Sequence, residues 1–214
     1  KYPNTDWLDK AYQGSGIQQN YYLGVSGGSD KSQYSFSLGM YDQEGLMKKT
    51  NAKRYTSRFN ISQQLNDKLK ISGNLAYTYS ITKEPQSSYP GLPQFTQIIR
   101  QFNRISPIIP YKFENGRYGN IADGSPAAWL ESPSYGRENF ADLVGNVGAD
   151  WEVIKGLHFK PSISYTMQMG QTKSFVADIQ YYNASGDKTF YQGPNSVTDG
   201  NTTSNVVTLQ DLLE

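Results

Sequence analysis

N-D-K-L-K-I-S-G-N-L-A-Y-T-Y-S-I, residues Asn66 to Ile81, is the stretch whose reading decides the fold. Leu69, Ile71, Leu75, Tyr77, Tyr79 and Ile81 fall on odd positions, with only Gly73 breaking the apolar series. Lys70, Ser72, Asn74, Ala76, Thr78 and Ser80 fall on even positions. Successive side chains of a strand point to opposite faces, so one face is apolar and the other small or polar. Ordinary strands have about five or six residues, whereas membrane-spanning strands need about nine to eleven. A run this long, with tyrosines on its apolar side, suggests a transmembrane β-barrel; one strand of a large soluble sandwich or barrel is the alternative.

The alternation recurs on both sides. Strands are expected over about 17–27, 32–42, 53–65, 68–82, 141–154 and 157–170, six in all. Gly27-Gly28-Ser29-Asp30 and Lys155-Gly156 are tight-turn signals. Pro161 falls inside the last run, where it removes a ladder donor. Arg58, Lys70, Asp150, Glu152, His158 and Lys160 all lie on the polar faces of these runs. An Arg or Lys facing lipid at the midplane costs about 2–4 kcal/mol, so a lipid face should be free of charge.

Four segments break the pattern, over about 1–16, 43–52, 83–139 and 171–204. The longest holds seven prolines, which cannot sit inside a central ladder. Within it Phe95, Ile98, Ile99, Phe102 and Ile105 follow helical spacing and predict an amphipathic helix over about 92–103. Asn4-Thr5-Asp6-Trp7 predicts a short helical turn carrying Trp7, Leu8 and Ala11. Short turns at one end of the strands and long connections at the other form the outer-membrane arrangement, with the long loops outside the cell. On that orientation Tyr21, Tyr55, Tyr77 and Tyr79 lie near the outer rim, and Tyr34 and Trp151 near the inner one.

Composition narrows the function. Twenty Lys and Arg against nineteen Asp and Glu give a net charge of +1, with no dense basic block to attract nucleic acid. With no cysteine and one histidine, His158, thiol metal sites, His-rich metal sites and a Ser-His-Asp triad are out of reach. No segment approaches the ~18 consecutive apolar residues of a membrane helix. Residues 1–10 lack the apolar core of a signal peptide, which implies that a leader has been removed or that the chain is cut from a longer one.

Several stretches resemble the SusC/RagA family of TonB-linked outer-membrane transporters. They are Asp6-Trp7-Leu8-Asp9, Leu23-Gly24-Val25-Ser26-Gly27-Gly28-Ser29-Asp30-Lys31-Ser32, Gly39-Met40-Tyr41-Asp42-Gln43-Glu44-Gly45 and Lys53-Arg54-Tyr55-Thr56-Ser57-Arg58-Phe59-Asn60, with the turn Ile154-Lys155-Gly156-Leu157-His158-Phe159-Lys160. The resemblance implies a 22-stranded barrel in the outer membrane of a Gram-negative cell, with a plug, powered through the TonB complex. It implies import of a glycan or peptide beneath a SusD-like surface lipoprotein, with no cofactor. About six strands cannot close a barrel alone, so the chain reads as an internal piece, residues 1–214 all belonging to a partial barrel domain.

No enzymatic activity is expected. Asp150 and Glu152 share a strand face, as paired carboxylates of a glycosidase would, but they read as polar wall residues, as does His158. The aromatics of the loops are the candidate substrate or lid-protein contacts: Tyr89, Phe95, Phe102, Tyr111, Phe113, Tyr118, Trp129 and Tyr135 in the first long loop, and Tyr181, Tyr182 and Tyr191, beside Phe190, in the second. Exposed aromatics on a rigid scaffold suit ligand or protein contacts, while the same rings could instead pack the loops into a cap.

Overall fold

Paired in register, the alternating runs build one antiparallel sheet. The computed structural model describes residues 3–87, 94–121, 124–193 and 195–210. Its strands are β1 (Gln18–Gly28), β2 (Ser32–Glu44), β3 (Asn51–Asn66), β4 (Leu69–Glu84), β5 (Tyr135–Ile154), β6 (Leu157–Phe159), β7 (Ser162–Val176), β8 (Ile179–Tyr182), β9 (Lys188–Gln192) and β10 (Asn195–Gln210). The helices are α1 (Trp7–Ala11), α2 (Gln94–Arg104) and α3 (Pro126–Glu131). The main sheet runs β1-β2-β3-β4-β5-β7-β10, with β6 also on β5, while β8 and β9 form a separate hairpin.

Register decides which side chains share a face. Val25, Phe36, Phe59, Leu75, Gly145 and Tyr165 form one row across six strands. Two residues toward the loops, the row reads Leu23, Leu38, Ser57, Tyr77, Leu143 and Met167. The next reads Tyr21, Met40, Tyr55, Tyr79, Ala141 and Met169. The opposite face carries Ser26, Ser35, Asn60, Asn74, Asn146 and Ser164 in one row. There Asn60 Nδ2 donates to Ser35 Oγ at 3.0 Å and Asn146 Nδ2 to Ser164 Oγ at 2.6 Å.

The apolar face is bare. Leu23 is 62% exposed, Val147 55% and Leu75 48%. In a soluble sandwich this face would be buried against a second sheet about 10 Å away. From Leu69 to Tyr79 the strand runs about 34 Å at 3.4 Å per residue, or about 25 Å across a bilayer once tilted near 45°. Charge marks the top of this band: Asp42 and Lys53 stand opposite each other on the apolar parity, one row above Tyr55, and pair at 2.6 Å.

The expected loop over 171–204 is overturned. β7 continues to Val176, a hairpin occupies 179–192, and β10 takes 195–210. β5 likewise begins at Tyr135 rather than near 141. These extensions, such as Gly136-Arg137-Glu138-Asn139 and Gln171-Thr172-Lys173-Ser174, lie above the apolar band. Neither of their faces needs to be apolar, so alternation is absent there. A second correction falls in 83–139, which holds α3 as well as α2. Ser125 caps α3 by accepting from the Ala128 N–H, and Pro126 takes the first turn, where its missing donor costs nothing.

Pro161 splits the run expected over 157–170 into β6 and β7, yet the register passes through unchanged. Trp151 pairs with Phe159 on one side of the break and Gly148 with Ser162 on the other, which sets Pro161 opposite Ala149. The Ala149 N–H still donates to the Pro161 carbonyl at 3.0 Å. Only the reciprocal hydrogen bond is lost.

The buried apolar core lies in the loops. Trp7 and Ala11 of α1, Met47 of the β2–β3 connection, Ile98 and Phe102 of α2, Ala127 to Leu130 of α3, and Ile179 and Tyr181 of β8 form one cluster. Four connections that are distant in sequence thus fold into a single cap on one end of the sheet.

Candidate functional site: the loop cap and the polar face

Each connection contributes an aromatic to the cap. Asp6 accepts from the Asp9 N–H to start α1, which turns Trp7 inward. The Trp7 ring packs against Phe102 at 6.0 Å and Tyr111 at 5.4 Å, and its Nε1 donates to the Ser106 carbonyl at 3.3 Å. On the far side, Trp129 Nε1 and the Tyr181 hydroxyl both donate to Gln192 Oε1, at 3.2 and 2.8 Å. Burial pushes the Tyr181 phenol up to about 12, so it stays a neutral donor.

Glu131, at the end of α3, is the polar hub. Lys112 Nζ and the Tyr118 hydroxyl donate to the same oxygen at 2.6 and 2.7 Å, and Lys112 also lies 5.0 Å over the Tyr118 ring. Burial pulls the Glu131 carboxyl upward, but hydrogen bonds from Lys112, Tyr118 and Tyr111 together hold it below the ordinary carboxylate range. Burial, and then the bond to Glu131, push the Tyr111 phenol far up. Arg117 ties the second connection to the first: its guanidinium lies 4.4 Å over the Tyr182 ring and donates to the Gly186 carbonyl at 2.7 Å. The Tyr182 N–H donates to the Tyr118 carbonyl at 2.9 Å.

This geometry sorts the expected contact residues. Phe102, Trp129 and Tyr181 are at most 2% exposed. As ligand contacts they are corrected: large rings at the meeting of four connections are the natural core. Phe95, Tyr111 and Tyr118 pack partly buried against that core. Phe113 and Tyr182 are half-buried. Tyr191 and Phe190, on β9, are open at 55% and 45%. Tyr135 lies on the apolar parity of β5, its ring 6.0 Å from Phe175. Tyr89 lies outside the described residues.

The polar face adds residues that pattern reading passed over. Tyr22 is 77% exposed and Phe140 40%, and Arg54 lies 5.3 Å over the Tyr41 ring. All four project from the face otherwise lined by Ser, Asn and Thr. An aromatic on the polar parity was the available signal. The carboxylates of the inner end have structural partners: Asp150 Oδ1 is 2.6 Å from His158 Nδ1, and Glu152 Oε1 accepts from the Gly156 N–H at 3.0 Å. Among the described residues no group of three or more acidic or histidine side chains could hold a metal ion.

Long antiparallel strands with a bare apolar band, a polar opposite face and the core displaced into the loops define the wall of a transmembrane β-barrel. Relatives then give the type. TonB-dependent receptor P3 of Formosa agariphila is 29% identical over 180 residues, which is 80% of this chain and 18% of that protein. TonB-dependent receptor SusC of Bacteroides thetaiotaomicron is 24% identical over 218 residues, 88% of this chain and 21% of its own. The RagAB peptide importer in its closed-closed state shares the fold with a TM-score of 0.57 at 23% identity, over 80% of this chain and 20% of that one. No family model matches. The chain resembles the SusC/RagA type of TonB-dependent receptor. It spans about a fifth of the length of the P3 and SusC receptors.

Proposed function

We propose that this chain forms part of the wall and outward cap of a TonB-driven outer-membrane importer for a glycan or a peptide, working beneath a SusD-like surface lipoprotein. The bare apolar band carries the reading, because about 25 Å of uncovered aliphatic and aromatic surface is what lipid would cover. The relatives add weight: SusC is a TonB-dependent receptor, and the RagAB structures are of a peptide transporter. The cap faces out of the cell and the short turns at Ser29 and Lys155 face the periplasm. The polar face lines the path, with Tyr22, Tyr41 and Phe140 as stacking surfaces. Phe190 and Tyr191, open on the cap, and the half-buried Tyr182 beside them are the contacts offered to substrate or lid. Coupling to TonB lies in other parts of the receptor, and no reaction is catalysed.

Arg substitutions on adjacent β4 residues test the faces. Leu75→Arg places a cation against lipid, at about 2–4 kcal/mol, and should abolish the heat-modifiable band of the receptor in membrane fractions. Asn74→Arg points to the polar face and should assemble. Equal effects would overturn the proposal.

A further inference from the structure

One row of the sheet carries a charge pattern that neither the fold nor the import path requires. β4, β5 and β7 place Lys83, Arg137 and Lys173 directly opposite one another. All three fall on the parity of Leu75 and Tyr79, the apolar face, and stand two rows above Tyr79. Opposed side chains on neighbouring strands are about 5 Å apart, so three cations lie within about 10 Å. Like charges in directly opposed positions destabilise a sheet. Among the described residues no carboxylate pairs with any of them, although Lys53, one row lower on β3, has its own partner in Asp42. Glu84 and Glu138, the nearest acids in sequence, sit on the other parity. Arg137 is held in place by Nε donating to Asn139 Oδ1 at 2.9 Å, and Asn139 in turn donates to Gln171. Above the row, Tyr135 and Phe175 close the same face with an aromatic pair.

We propose that Lys83, Arg137 and Lys173 form a binding site for the anionic phosphate headgroup of a lipid in the leaflet on the cap side. The inference rests on the membrane reading above. Position selects the occupant: the row begins where the apolar band ends, so a lipid whose chains lie along Leu75, Tyr77 and Tyr79 presents its headgroup at this height. Chemistry agrees. A guanidinium offers paired donors to a phosphate, and two ammonium groups beside it add compact charge. The bound anion also removes the repulsion among the three cations.

The test uses the receptor that carries this chain, purified in neutral detergent and exchanged into phosphatidylcholine nanodiscs. Native mass spectrometry reads retention of added diphosphoryl lipid A. The wild type should retain it, and the Lys83→Gln/Arg137→Gln/Lys173→Gln variant should retain at least tenfold less. Lipid A stripped of its phosphates should bind the wild type as weakly as the intact lipid binds the variant. Lys70→Gln, on the polar face, should change nothing. Equal retention by wild type and triple variant, with both heat-modifiable, would overturn the site and leave the barrel assignment standing. Displacement of the lipid by millimolar inorganic phosphate would overturn the lipid as occupant. A wild-type chain that needs no detergent would instead remove the membrane reading on which the site depends.

Discussion

At the scale of single residues, the cap turns on Glu131. Its carboxyl titrates below the ordinary value of 4.5 because Lys112, Tyr118 and Tyr111 outweigh its burial. A depressed folded value means the ionised form stabilises the cap fully above pH 4.5, and this contribution is lost as pH falls through the lowered value. Cleavage of the cap by an acid-active protease should therefore rise between pH 5 and pH 3, by the standard direction of such linkage. Glu131→Gln should be cleaved similarly at both values. Which aromatics pack and which stay open was not legible residue by residue. Trp129 and Tyr191 both read as loop aromatics, yet one is 1% exposed and the other 55%. The difference comes from partners far along the chain, Gln192 for Trp129 across 63 residues.

At the scale of elements, the β1–β2 hairpin depends on the lack of a side chain at Gly28. A Cβ there would meet the Ser32 carbonyl oxygen at 2.2 Å and the Gln33 Cα at 2.9 Å, both backbone atoms that cannot swing away. Gly28→Ala should lower the fraction of heat-modifiable receptor, whereas Gly14→Ala, with open space around it, should not. The strands were readable wherever one side meets an apolar medium and the other does not. β4 is nearly complete in the sequence for this reason. The upper halves of β7 and β10 were missed because they rise past the band, where both sides are polar. Their pairing comes from the ladder itself: Thr202 to Gly170, Thr203 to Met169, and on down to Gln210 with Ser162.

At the scale of the molecule, two sources of cohesion are separate. The sheet is held by its hydrogen-bond ladder and by whatever covers its apolar face. The cap is held by its own core, in which Ile98 is fully buried. Ile98→Asp buries an unpartnered charge, a severe change, and should open residues 85–134 to protease in intact cells. The heat-modifiable band should remain, since no strand of the sheet relies on that contact. Loss of both together would show that the cap and wall fold as one unit.

By itself the sequence determined the class of structure: period-two alternation over long runs, an apolar parity free of charge through the middle of each run, and short turns opposite long connections. Those features follow from local geometry and from the medium on each side of a strand, so they are written along the chain. Tertiary structure alone decided the rest. The core stands in the cap, Pro161 leaves the register intact, and Lys83, Arg137 and Lys173 line up from strands spread over ninety residues. These depend on which distant segments become neighbours, and only the pairing of the whole sheet settles that.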